Sequence, residues 1–218
     1  MQKTLGNLVL VTALGASCSP SAAKPARATY DPATGRLQTL TADANKNGTP
    51  DTVSYMDGTR IIRIELDLDE NGKVERWDFY KAGGELEKVG LSRLNDGVMD
   101  AQAFYESAGV LARMEISTQS DGRFDRVEFY QQGALVRSAD DTNADGRADK
   151  WDDYRSEAPR GATEPSYAVI ATSFDDSGSG RPERRFVYGP GGSIDRIEVD
   201  PDGDGVFERM TATASIGR

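Results

Sequence analysis

The sequence contains no histidine and a single cysteine, Cys18, among its 218 residues. Histidine is the commonest general base and zinc ligand, so its absence excludes Ser-His-Asp triads and histidine-based zinc centres. One cysteine cannot form an intramolecular disulfide, and a thiol nucleophile would lack its histidine partner. Because the commonest catalytic arrangements are missing, we predict that the protein is not an enzyme.

Basic residues are also in the minority. The chain has 26 Lys and Arg residues against 36 Asp and Glu residues, which gives a formal net charge of −10. A chain with this charge repels nucleic acid and anionic lipid headgroups, so we expect neither as a partner.

The N-terminal residues have the layout of a secretory signal. Lys3 precedes a mostly apolar stretch at 5–14, and small residues lead from there to Cys18. The stretch is too short to span a bilayer as a stable helix, and we predict a signal peptide over 1–17. Residues 18–29 are Ser, Pro, Ala and basic residues with nothing bulky, so we predict a flexible tether.

The four residues before Cys18 read Leu-Gly-Ala-Ser, and with the cysteine they resemble a bacterial lipobox. In lipoproteins of this kind signal peptidase II cleaves before the cysteine, which becomes lipid-modified. The resemblance implies a lipid anchor at Cys18 in the cell envelope, and Ser19 in place of Asp implies the outer membrane. The alternative is an ordinary signal peptide cleaved near Ala23, which would leave a periplasmic or secreted protein.

A glycine recurs at a nearly constant interval through the rest of the chain. The successive steps are 24, 25, 25, 24, 34 and 25 residues, which indicates a repeat of about 25 residues. The single long step comes from an insertion of about ten residues within 155–174. The repeated glycines are Gly48, Gly72, Gly97, Gly122, Gly146, Gly180 and Gly205.

Each repeat reads as an acidic loop, a strand, a tight glycine turn and a second strand. Apolar and polar residues alternate with period two, as in the run from Ile61 to Leu66, where Arg63 and Glu65 oppose the apolar residues. A tight turn between such runs predicts an antiparallel hairpin. The fold class is therefore predicted to be all-β: an antiparallel meander of about a dozen strands over 30–218, open or curled. A half unit at 30–40 opens the array, and a truncated unit at 200–218 closes it.

Two features of the strands predict how their side chains pack. Arg and Glu residues of neighbouring strands are expected to oppose each other and form a polar ladder. A tyrosine also occupies the fourteenth position of five repeats, where we expect it to pack over the turn; a carbohydrate-binding stripe is the alternative. These residues are Tyr80, Tyr105, Tyr130, Tyr154 and Tyr188.

Four of the loops follow the complete pattern D-x-[DN]-x-[DN]-G-x-x-[DE]. Side-chain oxygens at the first, third and fifth positions can face one point when the glycine allows a sharp turn, and the ninth-position acid adds another. Calcium prefers six to eight oxygen ligands, so we predict calcium binding with affinities on the order of 0.1 to 1 mM. The alternative is that Asp, Asn and Gly simply form turns without metal. The candidate ligands are Asp43, Asn45, Asn47 and Asp51; Asp67, Asp69, Asn71 and Glu75; Asp141, Asn143, Asp145 and Asp149; and Asp200, Asp202, Asp204 and Glu208.

The pattern resembles the first nine positions of an EF-hand loop, with strands where the EF-hand has helices. It is more similar to the calcium loops between β-strands in integrin-type propeller domains, where the ninth-position acid replaces the twelfth. The resemblance covers the loops alone, and it implies calcium as the bound ion. Three further loops, 92–100, 117–125 and 175–183, depart from the pattern and are expected to close without metal.

These observations predict a calcium-stabilised β-repeat protein anchored to the cell envelope, with a binding or structural role. Its partner would be an unknown envelope protein or glycan that meets one face of the sheet. Two other functions remain open: a carbohydrate-active enzyme that uses a carboxylate pair, or an inhibitor or assembly factor that acts through the 155–174 insertion.

Overall fold

The computed structural model describes residues 26–106, 109–156 and 166–210. The predicted signal peptide at 1–17, Cys18 and most of the predicted tether lie outside these ranges. In the described part of the chain, no helix is long and apolar enough to cross a membrane.

The chain forms one antiparallel sheet of fifteen strands, and the strands lie side by side in sequence order. This confirms the predicted all-β meander, and the sheet is open, with β1 and β15 at its two edges. The strands are β1 Arg27–Tyr30, β2 Leu37–Ala42, β3 Thr52–Asp57, β4 Arg60–Leu66, β5 Arg76–Tyr80, β6 Leu86–Leu91, β7 Ala101–Tyr105, β8 Leu111–Ile116, β9 Arg126–Gln131, β10 Ala134–Asp140, β11 Lys150–Ser156, β12 Tyr167–Phe174, β13 Arg184–Tyr188, β14 Ile194–Val199 and β15 Glu208–Arg209.

The structure corrects two predicted boundaries. Strand β1 begins at Arg27, so the last three residues of the predicted tether, 27–29, belong to the sheet. Half of the predicted insertion at 155–174 is strand, because β11 continues to Ser156 and β12 runs from Tyr167 to Phe174. The extra residues therefore lie between these two strands, in one hairpin of the meander.

The sheet is a single layer with very little buried apolar surface. Every substantial contact between strands joins neighbours in sequence order, so no second layer packs on either face of the described sheet. The buried apolar side chains in the described ranges are small: Val89, Ala101, Ala103 and Ala171. Stability must therefore come mainly from contacts between adjacent strands, as in other repeat proteins.

One face of the sheet carries a row in which rings and basic side chains alternate; we call it the ladder face. The predicted opposition of Arg and Glu occurs between Arg185 and Glu198, whose charged atoms are 3.6 Å apart. Within the row, however, basic side chains oppose rings: Arg113 lies opposite Phe104, and its guanidinium carbon is 4.2 Å from that ring's centroid. Its acidic partner, Glu115, lies two residues along the same strand at 3.1 Å. Rings and basic side chains alternate because, in each hairpin of the row, the first strand places an aromatic residue directly opposite a basic residue of the second strand. The row runs Tyr55, Arg63, Phe79, Lys88, Phe104, Arg113, Phe129 and Arg137.

The opposite face carries the fourteenth-position tyrosines; we call it the tyrosine face. The hydroxyl of Tyr154 lies 3.3 Å from Ser138 Oγ on the preceding strand and accepts a 3.1 Å hydrogen bond from Arg126. Tyr188 likewise donates to Thr172 at 3.3 Å. Ser138 is fully buried as a result. The hydroxyls of these two tyrosines therefore reach small polar residues of the preceding strand.

Candidate metal-binding loops

All seven acidic loops lie along one edge of the sheet, because each joins an even-numbered strand to the next odd-numbered one in a simple meander. We number them loop 1 (43–51), loop 2 (67–75), loop 3 (92–100), loop 4 (117–125), loop 5 (141–149), loop 6 (175–183) and loop 7 (200–208). Alternate strands are roughly 10 Å apart, so the loops recur at that interval.

Backbone hydrogen bonds join each loop to the one before it. The amide of the first residue donates to the carbonyl of the ninth residue of the preceding loop. Asp67 donates to Asp51 at 2.9 Å, and Asp200 donates to Glu183 at 2.9 Å. The same bond occurs at every step between these two, with lengths of 2.8 to 2.9 Å. The loops therefore form a continuous row in which a change in one is transmitted directly to its neighbour.

The backbone of every loop turns through two left-handed residues, at the fourth and sixth positions. Glycine occupies the sixth position throughout, as the sequence predicts. The fourth position has φ between 55° and 76°, although only two loops carry glycine there. The sequence analysis did not predict the left-handed fourth residue. Glycine at this position in two loops, Gly178 and Gly203, was the sequence feature that indicated it. The fourth-position residues are Lys46, Glu70, Asn95, Ser120, Ala144, Gly178 and Gly203.

The acids at the two ends of a loop close it by binding backbone amides. In loop 5 the first-position carboxylate of Asp141 accepts from Gly146 at 2.8 Å, and the ninth-position carboxylate of Asp149 accepts from Thr142 and Asn143, both at 3.1 Å. Loops 1 and 2 repeat both contacts. These carboxylates therefore stabilise the turn without a bound ion, which is what the alternative interpretation of the loops as metal-free turns predicts.

Loops 2 and 7 each bring three carboxylates together in a way that could hold a metal ion. One oxygen from each of Asp67, Asp69 and Glu75 lies within 4.8 Å of the others. In loop 7, oxygens of Asp200, Asp202 and Asp204 lie within the same distance of one another. Glu208, at the ninth position, lies on β15 and does not belong to this group. Within the described structure, the buried Oδ1 atom of Asp67 has no hydrogen-bond partner. Like charges this close repel, and a cation would relieve the repulsion.

The other two complete loops are arranged differently. In loop 1 the amide nitrogens of Asn45 and Asn47 point to Glu70 of the next loop, the first of them at 2.9 Å. In loop 5 the amide of Asn143 donates to Asp145 at 3.3 Å. Loop 1 offers only two acids, Asp43 and Asp51, beside its asparagines, and the three acids of loop 5 do not come within the 4.8 Å that loops 2 and 7 meet. Rotation of an asparagine amide would turn its oxygen towards the same point.

Loops 3 and 4 show how the incomplete pattern closes. Serine replaces aspartate at the first position, and the hydroxyl of Ser92 donates to Asp96 at 3.1 Å while it accepts from the Asp96 amide at 3.1 Å. Ser117 makes the same pair of bonds with Asp121, at 3.0 and 3.1 Å. At the first position, a complete loop has a negatively charged carboxylate oxygen, whereas loops 3 and 4 have a hydroxyl group that donates its proton to the fifth-position acid. This arrangement satisfies the fifth-position acid without a cation.

Hydrogen bonds within the loops favour ionised carboxylates. The side chain of Asn95 has the largest effect on the pKa of Asp69 and lowers it; burial raises this pKa, and the amide of Asn71 lowers it further. The amide of Val98 lowers the pKa of Asp96, and the amide of Arg123 lowers that of Asp121. These acids therefore stay charged in the folded protein to a lower pH than in an unfolded chain, where an aspartate has a pKa of about 3.9.

The lowered pKa values predict acid destabilisation. The folded state binds fewer protons than the unfolded state below about pH 4, so this part of the stability is present at neutral pH and is lost as the pH falls through the lowered values. We expect the urea midpoint to fall steadily below pH 4, and Asp96→Asn with Asp121→Asn to reduce that slope. A urea midpoint that stays constant from pH 5 to pH 2.5, at matched ionic strength, would contradict the prediction.

Comparison with known proteins gives weak likenesses. No protein-family model and no curated protein matches the chain. The crystal structure of TarM aligns with 45% of this chain at 10% identity and a TM-score of 0.36. The accessory secretory protein 1, 2 and 3 structure from Streptococcus pneumoniae aligns with 69% of it at 11% identity and a TM-score of 0.24. The chain covers 19% of either structure, and likenesses this low carry no argument about function.

Proposed function

We propose that this protein is a calcium-stabilised β-repeat protein, exported and anchored to the cell envelope through a lipid on Cys18, with a binding or structural role. The observation that supports calcium best is the gathering of three carboxylates in loops 2 and 7, within a row of loops along one edge. Carboxylate and carbonyl oxygens are the ligands that calcium prefers.

The role of the ion follows from the links between loops. A cation bound in loop 2 would hold together the start of β5 and the end of β4, and the ninth-residue carbonyl of that loop receives the first amide of loop 3. Calcium would therefore stiffen the meander where its carboxylates repel each other most strongly. A stiff single-layer sheet presents two broad faces, and an envelope protein or glycan could bind to either.

Calorimetric titration of the chain from Ala22 onward with calcium chloride tests the proposal. We expect saturable binding with dissociation constants on the order of 0.1 to 1 mM. The double change Asp67→Asn with Glu75→Gln should remove the contribution of loop 2, and Asp200→Asn with Asp202→Asn that of loop 7. Asp121→Asn in loop 4 is the matched control and should leave the titration unchanged. Absence of saturable heat in the unaltered chain would refute calcium binding.

The anchor is tested separately. In a bacterial host that processes lipoproteins, the full-length chain should incorporate radiolabelled palmitate and fractionate with membranes, and Cys18→Ser should abolish both. A chain that is cleaved near Ala23 and recovered without lipid would show that the export signal is of the ordinary kind.

A further inference from the structure

A cavity of about 630 Å³ opens on the tyrosine face between β11, β12 and β13. This volume lies within the range of small-molecule sites. Its charged and hydroxyl side chains are Lys150, Asp152, Arg155, Thr172 and Tyr188, and its apolar wall includes Val169 and Phe174. None of these residues belongs to the acidic loops, so the cavity is separate from the candidate metal sites.

The cavity arises where a long hairpin stands beside a short one. Pairing of β11 with β12 continues past Tyr154 to Arg155 and Ser156, which pair with Ala168 and Tyr167. Pairing of β13 with β14 ends at Tyr188, and a glycine-rich turn at 189–192 follows. The longer hairpin supplies one wall, and the turn supplies the other. Val169, which is 37% exposed, leaves apolar surface open to a ligand.

A fixed chain of polar contacts lines the floor of the cavity. Tyr188 donates to Thr172 at 3.3 Å, and Thr172 donates to Asp152 Oδ1 at 2.6 Å. Lys150 Nζ donates to Asp152 Oδ2 at 2.6 Å. Asp152 is 6% exposed and both of its oxygens are satisfied, so it holds the lysine and the threonine in place.

Lys150 differs from the basic residues at the same register in other repeats. Arg126 contacts Glu128, Asp140 and the hydroxyl of Tyr154, so its donors are used within the sheet. Among the described residues Lys150 has Asp152 as its one hydrogen-bond partner, and an ammonium group has three donors. Burial lowers the pKa of Lys150, but the hydrogen bond to Asp152 and the negative charges of Asp152 and Asp140 together outweigh this effect and raise the pKa. The ammonium group therefore stays charged at neutral pH with donors to spare.

We propose that this cavity binds a small aromatic carboxylate, with the carboxylate on Lys150 and the rings against Val169 and Phe174. Lys150 brings a positive charge with spare donors to the cavity, in a protein that is otherwise strongly acidic. A carboxylate accepts hydrogen bonds and donates none, which matches the spare lysine donors. The flat apolar wall matches a ring system, since ligand sites combine apolar walls with a few polar groups that orient the ligand.

Fluorescence titration with 2-naphthoate tests the proposal, with 2-naphthamide as the uncharged isostere. We expect saturable binding of 2-naphthoate and at least tenfold weaker binding of the amide, because a charge-assisted hydrogen bond contributes about 1.5 kcal/mol or more. Lys150→Met should weaken naphthoate binding at least tenfold. Arg76→Met, at the same register in a repeat without the cavity, should leave it unchanged.

A second variant guards against loss of folding in Lys150→Met. Val169→Trp fills the cavity without changing any charge, and it should abolish binding while circular dichroism stays unchanged. Failure of 2-naphthoate to saturate the native protein would overturn the proposal. So would equal affinity for the amide, or an equal loss of affinity in Arg76→Met.

Discussion

Excess EDTA is expected to lower the thermal unfolding midpoint of this protein by roughly 6 to 12 °C relative to a sample in calcium. At free calcium ten times the dissociation constant, each occupied site adds about 1.4 kcal/mol to the free energy of unfolding. Loops 2 and 7 together would add about 3 kcal/mol, and 1 kcal/mol shifts the midpoint of a chain of this size by roughly 2 to 4 °C. Differential scanning calorimetry in calcium and in EDTA measures the difference.

Two controls separate specific binding from general screening of the acidic chain. Sodium chloride at matched ionic strength should recover only a small part of the loss, because it screens charges without occupying a site. The loop 2 double variant should show about half of the EDTA effect. An identical midpoint in calcium and in EDTA would leave the loops as metal-free turns, closed by the backbone contacts of their own carboxylates.

Replacing Asp100 by alanine is expected to cost about 2 to 3 kcal/mol. Asp100 is 1% exposed, and its Oδ1 accepts the amide of Arg93 at 2.9 Å and lies 3.3 Å from the Arg93 Nε. The Arg93 side chain is 41% exposed, so the amide contact contributes more than the ion pair. Alanine leaves that amide without its acceptor and opens a gap beside β7. Urea unfolding of both proteins gives the difference.

Asp96→Ala is the matched control for this prediction. Asp96 belongs to the same loop and also accepts two hydrogen bonds, from Ser92 and Val98, but it is exposed to solvent. Water can replace Asp96 as a partner for these groups, so its loss should cost less than about 1 kcal/mol. Equal losses in the two variants would show that burial of Asp100 is unimportant.

Much of the fold could be predicted because its signals are local. The period-two run from Ile61 to Leu66 corresponds to β4 Arg60–Leu66, which starts one residue earlier. The glycine turns between such runs fix antiparallel pairing over a short stretch of chain. Such signals depend on residues a few positions apart, which is the range over which turn chemistry acts.

The assignment of side chains to faces could not be predicted in the same way. Each hairpin contains a bulge next to its turn. In the hairpin of β5 and β6, Phe79 pairs with Lys88 and Tyr80 pairs with Leu86, so Glu87 of β6 has no direct partner. An extra residue changes which side chains share a face across the hairpin. In this hairpin Phe79 therefore lies opposite Lys88 on the ladder face, while Val89 pairs with Asp78 on the tyrosine face. The alternation also gave no sign that the sheet lacks a second layer.

The candidate metal site was predicted in outline only. Loop spacing identified the acids, but the gathering of carboxylates depends on the left-handed fourth residue, and side chains such as Glu70 and Lys46 gave no indication of that conformation. The direction of the asparagine amides in loop 1 depends on Glu70 of the neighbouring loop, which sequence spacing does not describe. The cavity beside Lys150 arises from unequal hairpin lengths, a property of three-dimensional pairing.

Contact restricted to successive strands has a mechanical consequence. Tension applied between the two ends of the chain would reach the edge strands β1 and β15 first, because within the described residues each of them pairs with only the one strand beside it. Hairpins would then peel away one after another, each releasing about 25 residues of chain, while the remainder stays folded. Such a sheet would unfold in small steps under load and refold when the load is removed. It would therefore act as an elastic connection between the structures to which its two ends are attached.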